Sequence, residues 1–503
     1  MRRLVVLAAG ATLVVAAVSA DAASPGFRYG VAAGEITSAS AILWTRAPRA
    51  GKVAVRVSQS SSMKAGVRYS AVARSSNDLT VSRKVFVGPG QRYWFRFEQG
   101  AARSAVGTFS TAPKASAATN VRFAISGDAD ATPGATGKPA YNTYGVYARI
   151  AAEKNDFNIN LGDTIYSDSE VGAAPVARTV TEKWGKYKLG LALPALRKLR
   201  ASAGLYTHWD DHEFINDFSK PEHGETIYSA GVEAFRDYSP VAYYPAIGLY
   251  RTVRWGKNLE LFFLDERSFR SAKATTACGG DLAPTAPQPI RDAFSSLAPA
   301  LKNPVPPGCL AAINDPARTM LGARQYAAFT QAIRASKATW KVVVNEVPIQ
   351  QYYALPYDRW EGYESERQRL LRFLQANVKN VVFLSTDTHA NLINEVRYRT
   401  LGAAPESSGM WEVVTGPVAT NSFAKEVDSL LGSKGAGTAI GALFFKPAPP
   451  RGMGMRCAAL DVYSYAQVTV AARTLTIAPK DAQGRPVREA TGVPCAALVL
   501  TAR

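Results

Sequence analysis

A chain of 503 residues with 47% hydrophobic and 20% charged residues has a globular balance and enough length for more than one domain. That composition excludes a disordered or fibrous chain. A net charge of +19 draws anions to the surface, but no dense Lys/Arg block with interleaved aromatics occurs, so no specific nucleic-acid partner is expected.

Arg2-Arg3 precede an apolar run over residues 4–18, and Ala20-Asp21-Ala22 offers small residues for cleavage. The run is short for a membrane span and reads as a signal peptide over 1–22. The arginine pair leaves both the general and the twin-arginine export routes open. No second stretch reaches spanning length, so the processed chain is expected without a transmembrane anchor, secreted or periplasmic. An oxidising compartment favours cysteine pairing. The four cysteines allow three connectivities. Cys278–Cys309 and Cys457–Cys495 are the expected bridges, because each pair brackets a loop-like region bearing Gly or Pro.

Residues 27–112 read as an all-β domain. Short runs at 41–44, 53–57 and 93–97 are rich in β-branched or aromatic residues, and turn signals such as Gly88-Pro89-Gly90 separate them. An immunoglobulin- or fibronectin-like sandwich is expected. Small and polar residues over 111–120 read as a linker.

From residue 121 to 503 apolar strands alternate with helical patterns. Strands are expected at 121–125, 157–161, 259–264, 341–344 and 381–384. Helices are expected at 144–152, 184–200, 324–335 and 364–377. Strands return at 411–414, 462–465, 468–470 and 474–477. The alternation predicts an α/β layered domain that closes with antiparallel structure.

In an open α/β sheet, ligands bind beyond the carboxyl ends of the strands. Here apolar runs lead directly into Asp128 and Asp130, into Gly162-Asp163, into Asn345, and into Asp387 and His389. One Asp after a strand is an ordinary turn or helix-capping residue. Four such junctions, with the run Asp210-Asp211-His212-Glu213, are better explained as a binuclear metal centre, since hard cations prefer oxygen and nitrogen donors. The chain has only four histidines, and His212 and His389 both sit inside these acidic clusters.

Asp163 is the natural bridge, because one carboxylate can hold two cations roughly 3.5–4 Å apart. His389 and Asp387 would serve different cations. Tyr166 is either a phenolate ligand or a buried aromatic. Asp210 and Asp211 are adjacent, so their side chains diverge; one is expected to ligate and the other to hydrogen-bond nearby. His212 is the expected catalytic residue, facing substrate as phosphate stabiliser or leaving-group acid. His208 and His223 are assigned to structure. No G-x-S-x-G nucleophile elbow occurs.

Gly162-Asp163-Thr164-Ile165-Tyr166, Trp209-Asp210-Asp211-His212-Glu213-Phe214 with Asn216-Asp217, and Asp387-Thr388-His389 resemble the alkaline phosphatase D (PhoD-type) family of the calcineurin-like metallophosphoesterases. Gly30-Val31-Ala32-Ala33-Gly34 and Leu43-Trp44-Thr45-Arg46 are similar to that family's N-terminal β domain. Met320-Leu321-Gly322 with Gln325, and Trp360-Glu361-Gly362-Tyr363 with Glu366-Arg367, resemble its later segments. The resemblance covers most of the chain.

It implies a four-layer core of two β-sheets flanked by helices, acting on a phosphorylated substrate as a monoesterase or diesterase with Fe³⁺ and Ca²⁺. The iron would use Asp163, Tyr166 and His389; the calcium side would use Asp163, Asp387 and the Asp210-Asp211 pair. Typical members carry cysteine where this chain has Asp128, and Asp130 completes an Asp-x-Asp spacing like that of the wider superfamily. A hard carboxylate in place of a thiolate leaves Zn²⁺ or Mn²⁺ open as well. A purple acid phosphatase is the nearest rival, but those enzymes close with His-x-His where this chain has Asp387-Thr388-His389. A phospholipase D-type phosphodiesterase is a further enzymatic alternative, and a secreted Ca²⁺-binding adhesin with a decayed site is the non-enzymatic one.

Overall fold

Val53, Val55 and Val57 face inward along strand Gly51–Ser58, and Tyr93, Phe95 and Phe97 do so along Arg92–Gln99. This period of two buries one face of each strand and leaves the other to solvent. The two strands pair antiparallel, and Val67–Ala73, Ala102–Arg103 and Gly107–Ser110 complete their sheet. A second antiparallel sheet of Val31–Gly34, Ser40–Arg46 and Thr80–Phe86 shares its apolar core. These elements belong to a computed structural model that describes residues 26–401 and 404–503; the signal peptide expected over 1–22 lies outside the described residues.

Beyond residue 120 the strands Phe157–Leu161, Gly204–His208, Trp340–Val344 and Val381–Ser385 are buried on both faces, as strands covered by helices on one side and a sheet on the other must be. The first large sheet runs in the order Gly204–His208, Phe157–Leu161, Val121–Ser126, Ser464–Val470, Thr474–Asp481, Leu498–Thr501. Its first three strands are parallel. The second sheet has the order Arg251–Trp255, Leu259–Phe263, Trp340–Val344, Val381–Ser385, Glu406–Val414, Asn391–Arg399, Cys457–Ala459, with a parallel centre.

Phe123, Ile125, Ile159 and Leu161 of the first sheet pack against Leu261, Val342, Val344 and Leu384 of the second. The outer face of the first sheet, through Ala124 and Leu205, is covered by Tyr147, Ile150, Leu199 and Phe235. Phe262, Val343 and Phe383 on the outer face of the second meet Phe329, Leu370 and Leu374. The result is the expected four-layer α/β core behind an N-terminal β domain.

The helix expected at 184–200 is two helices, Val180–Ala192 and Pro194–Ser202. Proline lacks the amide hydrogen that an unbroken helix would use there, and Leu193 is extended. The strands expected at 462–465 and 468–470 are one strand, Ser464–Val470. Strand Gly204–His208 and the helical span Lys220–Tyr238, kinked at Gly224, were not among the expected elements, although Ser219-Lys220-Pro221-Glu222 has the spacing of a helix start. Cys278 pairs with Cys309 and Cys457 with Cys495, as expected; the second bridge ties an edge strand to the C-terminal loop. Among the described residues, no helix is long and apolar enough to cross a membrane.

The β domain is fastened to the core by polar contacts. The Trp44 indole donates to the Asp237 carbonyl at 2.7 Å, and the Arg200 guanidinium lies 4.3 Å over the Trp44 ring. Asp78 meets Arg46 at 2.8 Å and Lys188 of the core at 2.6 Å.

Candidate metal centre

Parallel strands of both sheets deliver their carboxyl ends to one edge. Asp128 follows Val121–Ser126, Asp163 follows Phe157–Leu161, Asp210 and Asp211 follow Gly204–His208, and Asp387 and His389 follow Val381–Ser385. Asp128, Asp163, Asp387 and His389 all have positive φ, between 48° and 63°. Such backbones cost roughly 1–3 kcal/mol each in side-chain-bearing residues and concentrate at functional sites. Gly162 (φ +71°) makes the close approach feasible, since a Cβ there would lie 2.5 Å from the Asp210 Cβ.

One ligating atom from each of Asp128, Asp163 and His389 lies within 4.8 Å of the others. The same holds for Asp163, Asp211 and His212, for Asp210, Asp211 and Asp387, and for Asp211, Asp217 and Asp358. Asp163 is therefore common to two groups and Asp211 to three. Tyr166 Oη is 3.1 Å from His389 Nε2, and its ring stacks on His212 at 4.1 Å between centroids.

The polar scaffold is specific. Glu213 accepts from the amides of Asp163 (3.2 Å), Thr164 (2.6 Å) and Asp210 (2.8 Å), so one buried carboxylate fixes two site loops. His212 Nδ1 lies 2.6 Å from Asp168 Oδ1, and His389 Nδ1 lies 2.6 Å from Glu426 Oε1. Arg267 is fully buried; its Nε donates to Asp210 at 2.5 Å, its Nη1 to Asp358 at 2.7 and 2.8 Å, and its Nη2 to Asp387 at 3.2 Å.

Burial pushes Asp128 up to about 7, against the pull of His389. Burial first, and like-charged neighbours after it, also raise Asp163, Asp210 and Asp387 well above the usual carboxylate range. Burial would lower His389, but Glu426 and Asp128 bring it to about 9. Negative charge thus exceeds what Arg267 balances, and bound cations would relieve it. Asp128 Oδ2, Asp210 Oδ2 and both polar atoms of the Asn345 amide are buried without a hydrogen-bond partner. Buried oxygens rarely stay unpaired, so the donor set fits hard cations.

Asp130 departs from expectation. Its carboxylate accepts from Thr132 N at 2.7 Å and from the Ser169 hydroxyl, and it belongs to none of the ligating groups. Turning the chain after Asp128 sends the second Asp of the Asp-x-Asp spacing away from the cluster. His212, expected to face substrate, also lies within a ligating group. His208, assigned to structure, is buried beside Glu346 at 3.0 Å.

The sequence pattern of the PhoD-like phosphatases matches residues 134–443, and that of their N-terminal domain matches 13–113. The chain belongs to the PhoD-like phosphatase family. Alkaline phosphatase D of Bacillus subtilis (strain 168) is 24% identical over 416 residues, 73% of this chain and 64% of that protein. The match thus spans a little under two thirds of that relative. A solved PhoD structure superposes with a TM-score of 0.72 at 20% identity, covering 95% of this chain and 89% of that one. A purple acid phosphatase from yellow lupin (Lupinus luteus) seeds gives 0.54 at 11% identity, over 94% and 74%. Both likenesses are of fold.

Arg267, Asp358, Asp168 and Glu426 join this site without having been expected from the sequence, and Asp217, part of a quoted motif, had been given no role. Arg267 had a readable signal: Leu264-Asp265-Glu266-Arg267 follows strand Leu259–Phe263 just as the other clusters follow theirs. Asp168 stands two residues after Tyr166. Asp358 and Glu426 come from segments with no such pattern.

Proposed function

We propose that this chain is an exported, metal-dependent phosphoesterase that hydrolyses phosphate monoesters, diesters or both. The observation that carries the reading is Asp163, whose carboxylate is shared between the Asp128–His389 group and the Asp211–His212 group. Asp128, Asp163, Tyr166 and His389 would hold one cation; Asp163, Asp210 or Asp211, Asp387 and Asn345 would hold the other. Fe³⁺ and Ca²⁺ are the ions proposed, on the family resemblance. When bound, such cations supply positive charge to the phosphoryl oxygens and lower the pKa of an attacking water.

The chain's own residues do the rest. Asp168 holds His212 Nδ1, which leaves Nε2 to hand a proton to the leaving group. Burial works against a protonated His212, while Asp163, Asp211 and Asp168 raise its pKa well above the ordinary value. Arg267 keeps Asp210, Asp358 and Asp387 in register, and Glu213 keeps the two loops together. The basic surface concentrates phosphorylated substrates, and two disulfides suit an oxidising compartment.

The test is turnover of p-nitrophenyl phosphate and of its bis-ester. Activity should vanish in chelator and return with metal. Full turnover after elemental analysis shows the protein metal-free would sink the proposal.

A further inference from the structure

Beside the metal centre lies a cavity of about 150 Å³ whose lining is mostly hydrocarbon. Ile290 and Phe294 form one wall, Tyr352 and Leu355 a second, and Phe423 and Leu430 of helix Phe423–Leu431 a third. An apolar recess of this size can take up a hydrocarbon guest. Leu355 and Leu430 are 41% and 56% exposed, so the apolar lining continues outward to solvent.

The cavity wall is continuous with the site. Phe423 N donates to the His389 carbonyl at 3.0 Å. Glu426, which holds the His389 ring, precedes the lining residue Val427. Asp358, paired with Arg267, precedes the lining residue Arg359. Arg359 stands 5.1 Å from the Tyr352 ring centroid and donates to the Ala354 carbonyl, but its Nε is buried without a partner. Among the described residues no carboxylate forms an ion pair with it. An apolar slot with one guanidinium outside any ion pair, next to the candidate metal centre, suits an anionic head carrying a hydrocarbon tail.

We propose that this cavity binds the single alkyl chain of an amphiphilic phosphate, with Arg359 beside its anionic head. That the bound amphiphile is also a substrate rests on the phosphoesterase reading above. Two measurements separate the claims. The first is kcat/KM over n-alkyl p-nitrophenyl phosphate diesters from methyl to octyl. It should rise about fourfold per CH₂, the equivalent of about 0.8 kcal/mol, until the slot is filled. The second is calorimetric titration of the full-length protein with n-octyl phosphate and with inorganic phosphate; the octyl ester should bind more tightly. Ala286→Phe and, on another part of the lining, Ala298→Phe should each bring the octyl-to-methyl ratio and the octyl advantage towards one, with folding checked by circular dichroism. Two variants are needed because either alone could disturb packing. A flat alkyl series with no octyl advantage overturns the inference and leaves the phosphoesterase reading standing. Tight octyl binding, lost in both variants, in a protein that hydrolyses no ester would support the cavity and overturn the reading instead.

Discussion

Glu426 Oε1 lies 2.6 Å from His389 Nδ1, on a helix that begins beyond the last strand cluster of the site. A carboxylate on one ring nitrogen fixes the tautomer and leaves the other as the donor towards a cation. His389 Nε2 is that other nitrogen, 3.1 Å from Tyr166 Oη.

Glu426→Ala is expected to weaken metal retention by about 10–100-fold without unfolding the chain, since the Glu426 side chain is 42% exposed. Chelator competition followed by elemental analysis reads this directly. Retention equal to the parent would show that Glu426 does not orient His389.

Asp163→Ala should empty both cation positions, because its carboxylate is shared by two ligating groups. His212→Ala should retain most metal while its rate falls about 10²–10⁴-fold, the usual worth of a general acid. An equal loss of metal in both variants would make His212 a ligand rather than the acid.

Much of this site was legible because strands announce their own ends. Asp128, Asp163, Asp387 and His389 each follow an apolar run, and the structure brings them to one edge. Asp130, expected in the cluster from its Asp-x-Asp spacing, lies outside it because the backbone turns at Asp128 (φ 62°). Glu426 and Asp358 were invisible for a different reason. They reach the site from segments far along the chain, through packing that no local period encodes. The helix break at Pro194 was printed in the sequence, yet a long amphipathic pattern ran across it.

Arg267→Ala should destabilise the metal-stripped protein by roughly 3–5 kcal/mol, because removing one partner leaves buried carboxylates uncompensated. Asp210 and Arg267 are both fully buried. The measurement is the guanidinium chloride midpoint of stripped protein. Reloading cations should narrow the difference, as they replace the lost positive charge. A midpoint matching the parent would refute the role.

The junction between the β domain and the core should be acid-sensitive. Burial alone would raise Asp78, but hydrogen bonds from Arg46, Lys188 and Tyr238 hold it down at about 2. A depressed carboxylate contributes stability above its unfolded pKa of about 3.9, and that contribution is lost as pH falls towards the folded value. The parent should therefore lose stability between about pH 4 and pH 2 relative to Asp78→Asn, which lacks the titrating group. Parallel acid-unfolding curves for the two proteins would remove Asp78 from the account.

Tyr166 decides whether iron belongs here. Its hydroxyl is buried against His389, and burial, followed by the Asp163 charge, raises its pKa well above the ordinary value. Without a strongly charged cation it stays a phenol. With Fe³⁺ it would ionise, and phenolate-to-iron charge transfer would colour the protein. Tyr166→Phe should abolish the visible band while the fold persists, because the rings are nearly isosteric and the Tyr166–His212 stacking survives the loss of the hydroxyl. The carboxylate of Asp128 pulls the other way, since a hard oxygen donor suits Zn²⁺ or Mn²⁺ as readily as iron. Visible absorption and elemental analysis on the same preparation settle the choice. A colourless, fully active protein containing only Zn²⁺, Mn²⁺ or Ca²⁺ would leave the shared Asp163 centre intact and remove the iron from it.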